Sequence, residues 1–237
     1  MSGASQSRLT FIVGKYNFSM LTSKDERSVR ITLFLGPCFG ALVPVPEAAC
    51  DLDRFANCST AFFMNFGFKE PPHKAIEYED KLNKLKEKEG RDGYAKFCGW
   101  YKAYRSCGGS ACFPQCMDIP NLVHVGYSMD DAYQMREMYD QEHYDCMDAH
   151  DMWYNNWDCI EKVRKENNGQ FQVCEDKLKK EMSQALEKAC TWINDYIKCV
   201  QPKYTEGCSK EVGGYMCKSI WSAFMAVFPQ CHHSCVV

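Results

Sequence analysis

No stretch of this 237-residue chain reaches the roughly 18 consecutive apolar residues that a spanning helix needs, so no stable membrane span is expected. Positive charge is not in excess either. Lys and Arg number 28 against 31 Asp and Glu, and a net charge of -3 gives no general electrostatic footprint for nucleic acid, where a basic face would be expected. The G-x-S-x-G elbow, H-E-x-x-H, a phosphate-binding glycine loop and a dinucleotide fingerprint are all missing. So are the C-x2-C pairs from which zinc sites are usually built. Strand-like alternation is scarce. Neither an enzyme nor a cofactor or metal requirement is expected from these residues.

Cysteine, by contrast, is abundant: 16 residues, spread singly along the chain. The closest pairs are Cys112–Cys116 and Cys231–Cys235, both C-x3-C. Cys190, Cys199, Cys208 and Cys217 follow at nine-residue steps. Nine residues are about two and a half helical turns, so alternate members would face opposite sides of one helix. Pro202, Gly207, Gly213 and Gly214 argue against a single continuous helix there. Such a spread suits cross-links between several helices and loops, and hence an oxidising compartment. The disulfide candidates are Cys50, Cys58, Cys98, Cys107, Cys112, Cys116, Cys146, Cys159, Cys174, Cys190, Cys199, Cys208, Cys217, Cys231 and Cys235, with pairing left open.

Export requires a signal, and the candidate is internal. Arg27 and Arg30 precede the apolar run Ile31–Val43, and Gly40, Ala41, Ala48 and Ala49 supply small residues around its exit. Met20 as the start would bring this run closer to the usual place. A buried strand or hairpin at the domain's edge is the alternative reading. The chain then divides into an N-terminal segment, 1–49, and a cysteine-rich domain, 50–237, with a subdomain boundary considered near 120–126. Losing residues 1–49 removes Cys38 and leaves fifteen cysteines. An odd number means a free thiol, a disulfide-linked dimer or another cleavage point. Asn57-Cys58-Ser59 is a glycosylation sequon in the remaining domain.

Helical periodicity is common. It predicts helices over 51–66, 73–89 (stopped by Gly90), 94–105, 128–165 (Ser128 as N-cap, with a break near Asp151 considered), 171–200 (closed by Pro202) and 209–227 (capped by Ser209). Residues 107–120 read as a cysteine-pinned loop. The expected fold is all-α: a disulfide-pinned bundle of about six helices with short loops.

The cysteine and aromatic spacing resembles a known family. Phe97-Cys98-Gly99-Trp100-Tyr101 followed by Cys107 and Cys112, then Tyr144-Asp145-Cys146-Met147 leading through Trp153 to Trp157-Asp158-Cys159-Ile160 and Cys174, then Cys190, Cys199, Cys208, Gly213 and Gly214, resemble the nematode chondroitin proteoglycan 4 domain. A sister nematode family of secreted, helical, cysteine-rich domains of unknown function shares much of this grammar. The resemblance spans about Cys50 to Cys217 and implies a secreted, all-helical, non-enzymatic domain of extracellular material. It does not imply chondroitin attachment, because the chain's one Ser-Gly is Ser2–Gly3. Cys208–Ser209 also stands where the family has Cys-Gly.

Several residue groups carry side chains capable of chemistry. Cys146, between His143 and His150, is the best thiol nucleophile, but its place in the resembled framework argues for a bridge. His143 and His150, with Glu142, Asp145, Asp148 and Asp151, form the densest set of metal-ligand types; a solvated acidic helix face is preferred. His232–His233 is read as part of a mobile, disulfide-ended tail. Phe62, Phe63 and Phe66, with Met135, Met138 and Met152, would line an apolar pocket or simply fill the core. The run 81–88 reads as a solvated charged face. The functional expectation is a secreted structural or interaction module of extracellular matrix, whose partner is an extracellular protein or glycan. An extracellular carrier of a small apolar ligand is the alternative.

Overall fold

The computed structural model describes residues 50–237 except 110–112, 226, 234, 236 and 237. The candidate signal run, Cys38 and Cys112 lie outside the described residues. Within them the chain is all-helical, with no strand, as the periodicity predicted.

Asp51 caps the first helix, α1 (Leu52–Met64), accepting the Arg54 backbone N–H at 3.0 Å. Its buried face carries Phe55, Phe62 and Phe63. The helices expected at 73–89 and 94–105 are joined as α2 (Ala75–Gly108). Gly90 breaks the helical geometry between them, as expected. It takes φ 60° and ψ -139°, a positive φ that side chains resist, and the helix resumes in a new direction.

The expected loop at 107–120 contains two short helices, α3 (Phe113–Cys116) and α4 (Ile119–His124). They are tied to the next helix, α5 (Met129–His143), by Arg136, which donates to Asp118 at 2.6 Å and to the Pro114 carbonyl at 3.1 Å. Ser128 caps α5 as expected, accepting from the Asp131 N–H at 3.1 Å.

The predicted 128–165 helix is interrupted by a π-helical turn, Tyr144–Asp148, before α6 (His150–Glu166). The wide turn buries both Asp145 and Cys146. The predicted 171–200 helix is likewise two: α7 (Asn168–Gln184) and α8 (Ala189–Gly207), separated by Ala185 in a non-helical conformation (φ -152°, ψ 72°) and a 3-10 turn, Leu186–Lys188. Pro202 lies inside α8 and does not close it. A proline there costs about 3 kcal/mol. Beyond it Tyr204 is buried and Cys208 is bonded to Cys159, and these interactions hold the last turn in place. α9 (Lys210–Met225) starts on Ser209, whose hydroxyl accepts the Val212 N–H at 3.2 Å. It lies close on α8: a Cβ at Gly213 would fall 2.0 Å from the Thr205 hydroxyl oxygen.

Nine helices therefore replace the expected six among the described residues. They enclose two clusters of buried side chains. One runs from Phe55 to Trp153 and takes in Tyr215 of α9; the other runs from Val163 to Cys231. Residues 120–126 lie within the first, and the division falls along α6.

All fourteen described cysteines are paired. Cys50–Cys116, Cys58–Cys107 and Cys98–Cys146 staple the first half; Cys159–Cys208, Cys174–Cys199, Cys190–Cys231 and Cys217–Cys235 staple the second. None of the seven crosses between the halves.

Candidate functional site

Where the halves meet, α2, α5, α6 and α7 surround a cleft of about 950 Å³. Ten carboxylates and five cationic side chains line it. An acidic groove on this scale comes from the way the sequence folds locally. The Gly90 kink turns α2 along the cleft, and the π turn brings Asp145 onto the face that already carries Glu142.

Asp145 links the two halves. Its carboxylate accepts from Tyr215 Oη of α9 at 2.9 Å and from Tyr94 Oη of α2 at 3.2 Å. Its backbone carbonyl accepts Trp153 Nε1 at 2.7 Å. Glu142 accepts Tyr78 Oη at 2.8 Å. Burial dominates both groups. It raises the Asp145 pKa against the hydrogen bonds from Tyr215 and Ser219. It pushes Glu142 from 4.5 to about 8, although the Tyr78 bond and Lys86 oppose it. Lys86 answers them from α2: burial lowers its pKa, while Glu142 and Asp145 hold it up, and its amine lies 4.4 Å from the Tyr94 ring centre.

Two more buried carboxylates line the cleft. Glu175 of α7 pairs with Lys179. Glu137 of α5 is 1% exposed, and neither of its carboxylate oxygens has a hydrogen-bond partner. Burial, and then the neighbouring Asp140, raise its pKa well above the usual carboxylate range.

The structure redistributes the residues singled out by sequence. Cys146 is fully buried in its bond to Cys98, so it offers no thiol. The acidic segment 140–151 is not a uniformly solvated face: Glu142 and Asp145 are buried, whereas Asp148 and Asp151 are exposed. The π turn also parts the two histidines. His143 stacks on Tyr139 at 6.3 Å, and burial, then Arg105, lower its pKa. His150 stacks on Tyr154 at 5.7 Å and contacts Asp151 at 3.1 Å. Neither joins a group of metal-ligand atoms.

Among the described residues the one such group is Cys217, His233 and Cys235, within 4.8 Å of one another. Those cysteines are bonded to each other, so their sulfurs are not available as thiolates. The tail is held by that bond, by Cys190–Cys231 and by His233 against Asn194. Phe62, Phe63 and Phe66 pack against Tyr78 and Tyr104 in the core; Met135 is buried, and Met138 reaches the cleft. Asn57 is exposed on α1, but Cys58 is bridged and the Ser59 hydroxyl is buried at 2.7 Å from Tyr104 Oη.

Glu137 escaped the sequence reading. It sits among alternating core and charged positions of α5, where periodicity alone does not separate it from its exposed neighbours. Lys86 falls in the charged run 81–88, which reads as solvated, yet its amine lies over the Tyr94 ring.

Comparison with known proteins adds no identity. No protein family, curated protein or solved structure matches this chain.

Proposed function

We propose that this chain is an exported, non-catalytic structural or interaction module of extracellular material. Support comes from one observation above the rest: all fourteen described cysteines are joined, in bonds that tie helices, loops and the C-terminal tail together within each half. Such bonds persist outside the reducing cytosol and constrain the unfolded chain. No helix among the described residues is long and apolar enough to cross a membrane. The resemblance to the chondroitin proteoglycan 4 domain points the same way. A partner would be an extracellular protein or glycan. The alternative, a carrier of a small apolar ligand, is less favoured, because the aromatic stripes fill the cores and the cleft is lined with charge.

Non-reducing peptide mapping of protein isolated from its native source, with free thiols blocked at lysis, tests this reading. The seven pairs above are expected. Recovery of most of these cysteines as blocked thiols would overturn both the export and the durability it implies.

A further inference from the structure

We propose that the cleft between the halves binds a small organic ammonium ion, with the Glu137 carboxyl as its anchor and an aromatic wall beside it. This goes beyond the module reading and holds wherever the protein works.

The volume, about 950 Å³, is within the roughly 300–1,000 Å³ of small-molecule sites. The lining carries ten carboxyl groups to five cationic side chains. Of those cations, Lys84, Lys162 and Lys165 are exposed, and Arg164 is held by Glu161 at 2.7 Å.

Glu137 makes the argument specific. The other deeply buried carboxylates have donors: Tyr78 for Glu142, Tyr94 and Tyr215 for Asp145, and Lys179 for Glu175. Glu137 is just as buried, lines the same cleft, and has none. An unpartnered acceptor in such a place is costly unless something supplies its hydrogen bonds. An ammonium group supplies three donors and a full charge.

The cleft already uses this mode. The Lys86 amine rests over the Tyr94 ring and faces Glu142 and Asp145. Trp157, half-buried and 5.9 Å from Tyr94, and Phe171 extend the aromatic lining, which suits a cation with a hydrocarbon or aryl frame. A bare divalent metal fits less well. No three carboxylates of the cleft bring their oxygens within 4.8 Å of one another among the described residues, whereas calcium needs convergent oxygens.

The test is isothermal titration calorimetry on the full, oxidised chain with 2-phenylethylamine and 1,4-diaminobutane, using phenylacetate and calcium chloride as controls. Saturable binding of at least one amine is expected, with none of phenylacetate. Glu137→Gln should weaken amine binding at least about tenfold, the loss expected for a hydrogen bond to a charged group. Trp157→Leu should weaken it several-fold through the lost cation–π contact, and it reports on the site should Glu137→Gln fail to fold. Melting of the unaltered protein should rise with amine and not with phenylacetate. The proposal is overturned by failure of both amines to bind, by equal binding of phenylacetate, by calcium binding more tightly than either amine, or by amine affinity unchanged in a folded Glu137→Gln protein.

Discussion

In residues 50–153 the core is built from rings: Phe62 stacks on Tyr104 at 4.5 Å, Tyr94 on Phe97 at 5.4 Å, and Phe113 meets Tyr104 edge-on at 4.6 Å. In residues 163–231 Leu178, Ile193, Ile197, Val200, Val212 and Ile220 share the filling with five aromatic residues, Phe171, Tyr196, Tyr204, Phe224 and Phe228. The first half spends three disulfides, bridging 48 to 66 residues; the second spends four, bridging 18 to 49. Large rings bury much area each and interlock at defined angles, so few covalent ties suffice. A smaller core with fewer rings gains more from being stapled at each element. What joins the halves is not sulfur but the length of α6, the packing of α9 on α5, and the buried Asp145 with its two tyrosines.

This contrast can be broken experimentally. The largest effect is expected from Cys98→Ala with Cys146→Ala, a loss of about 2–5 kcal/mol in denaturant unfolding. Removing Cys217 and Cys235 together should cost about 1 kcal/mol less on chain entropy, because the bridged separations are 48 and 18 residues. Equal losses would mean that loop length does not govern the two halves differently.

Next in size, Asp145→Ala should cost about 2–4 kcal/mol by stranding the Tyr94 and Tyr215 hydroxyls. It should also split the calorimetric transition, with the van't Hoff enthalpy falling below the calorimetric one, as the halves unfold separately. A single two-state melt at the parent temperature would show that the seam does not depend on this carboxylate.

A further effect is one of pH. Because Glu142 titrates near 8 when folded and near 4.5 when unfolded, the folded state binds more protons between those values. Its contribution is therefore complete below the lower value and is lost as pH rises through the upper one. The melting temperature should fall over that range, and Glu142→Gln should flatten the fall. A melting temperature that rises there in the parent would contradict burial as the dominant influence on this group.

Much of the fold can be read from residue order. The inner faces of Tyr94, Phe97, Tyr101 and Tyr104, and of Ile193 and Tyr196, follow from spacing, because a helix that packs on one side must repeat apolar residues at its own period. The caps at Ser128 and Ser209 follow from side-chain chemistry. The joints are less legible. Gly90 and Pro202 look like stops, yet α2 resumes past the glycine and α8 continues through the proline, because packing and a disulfide on the far side outweigh the local cost.

Helix type, one-sided burial and abundant sulfur are local properties of neighbouring residues, and order along the chain is enough to specify them. Which cysteine meets which, and which carboxylates leave water, depend on how separate helices come together. Glu137, Glu142 and Asp148 look alike in the primary structure. Only the π turn and the meeting of two cores bury the first two and leave the third in solvent, because burial belongs to the assembled surface and not to the residue.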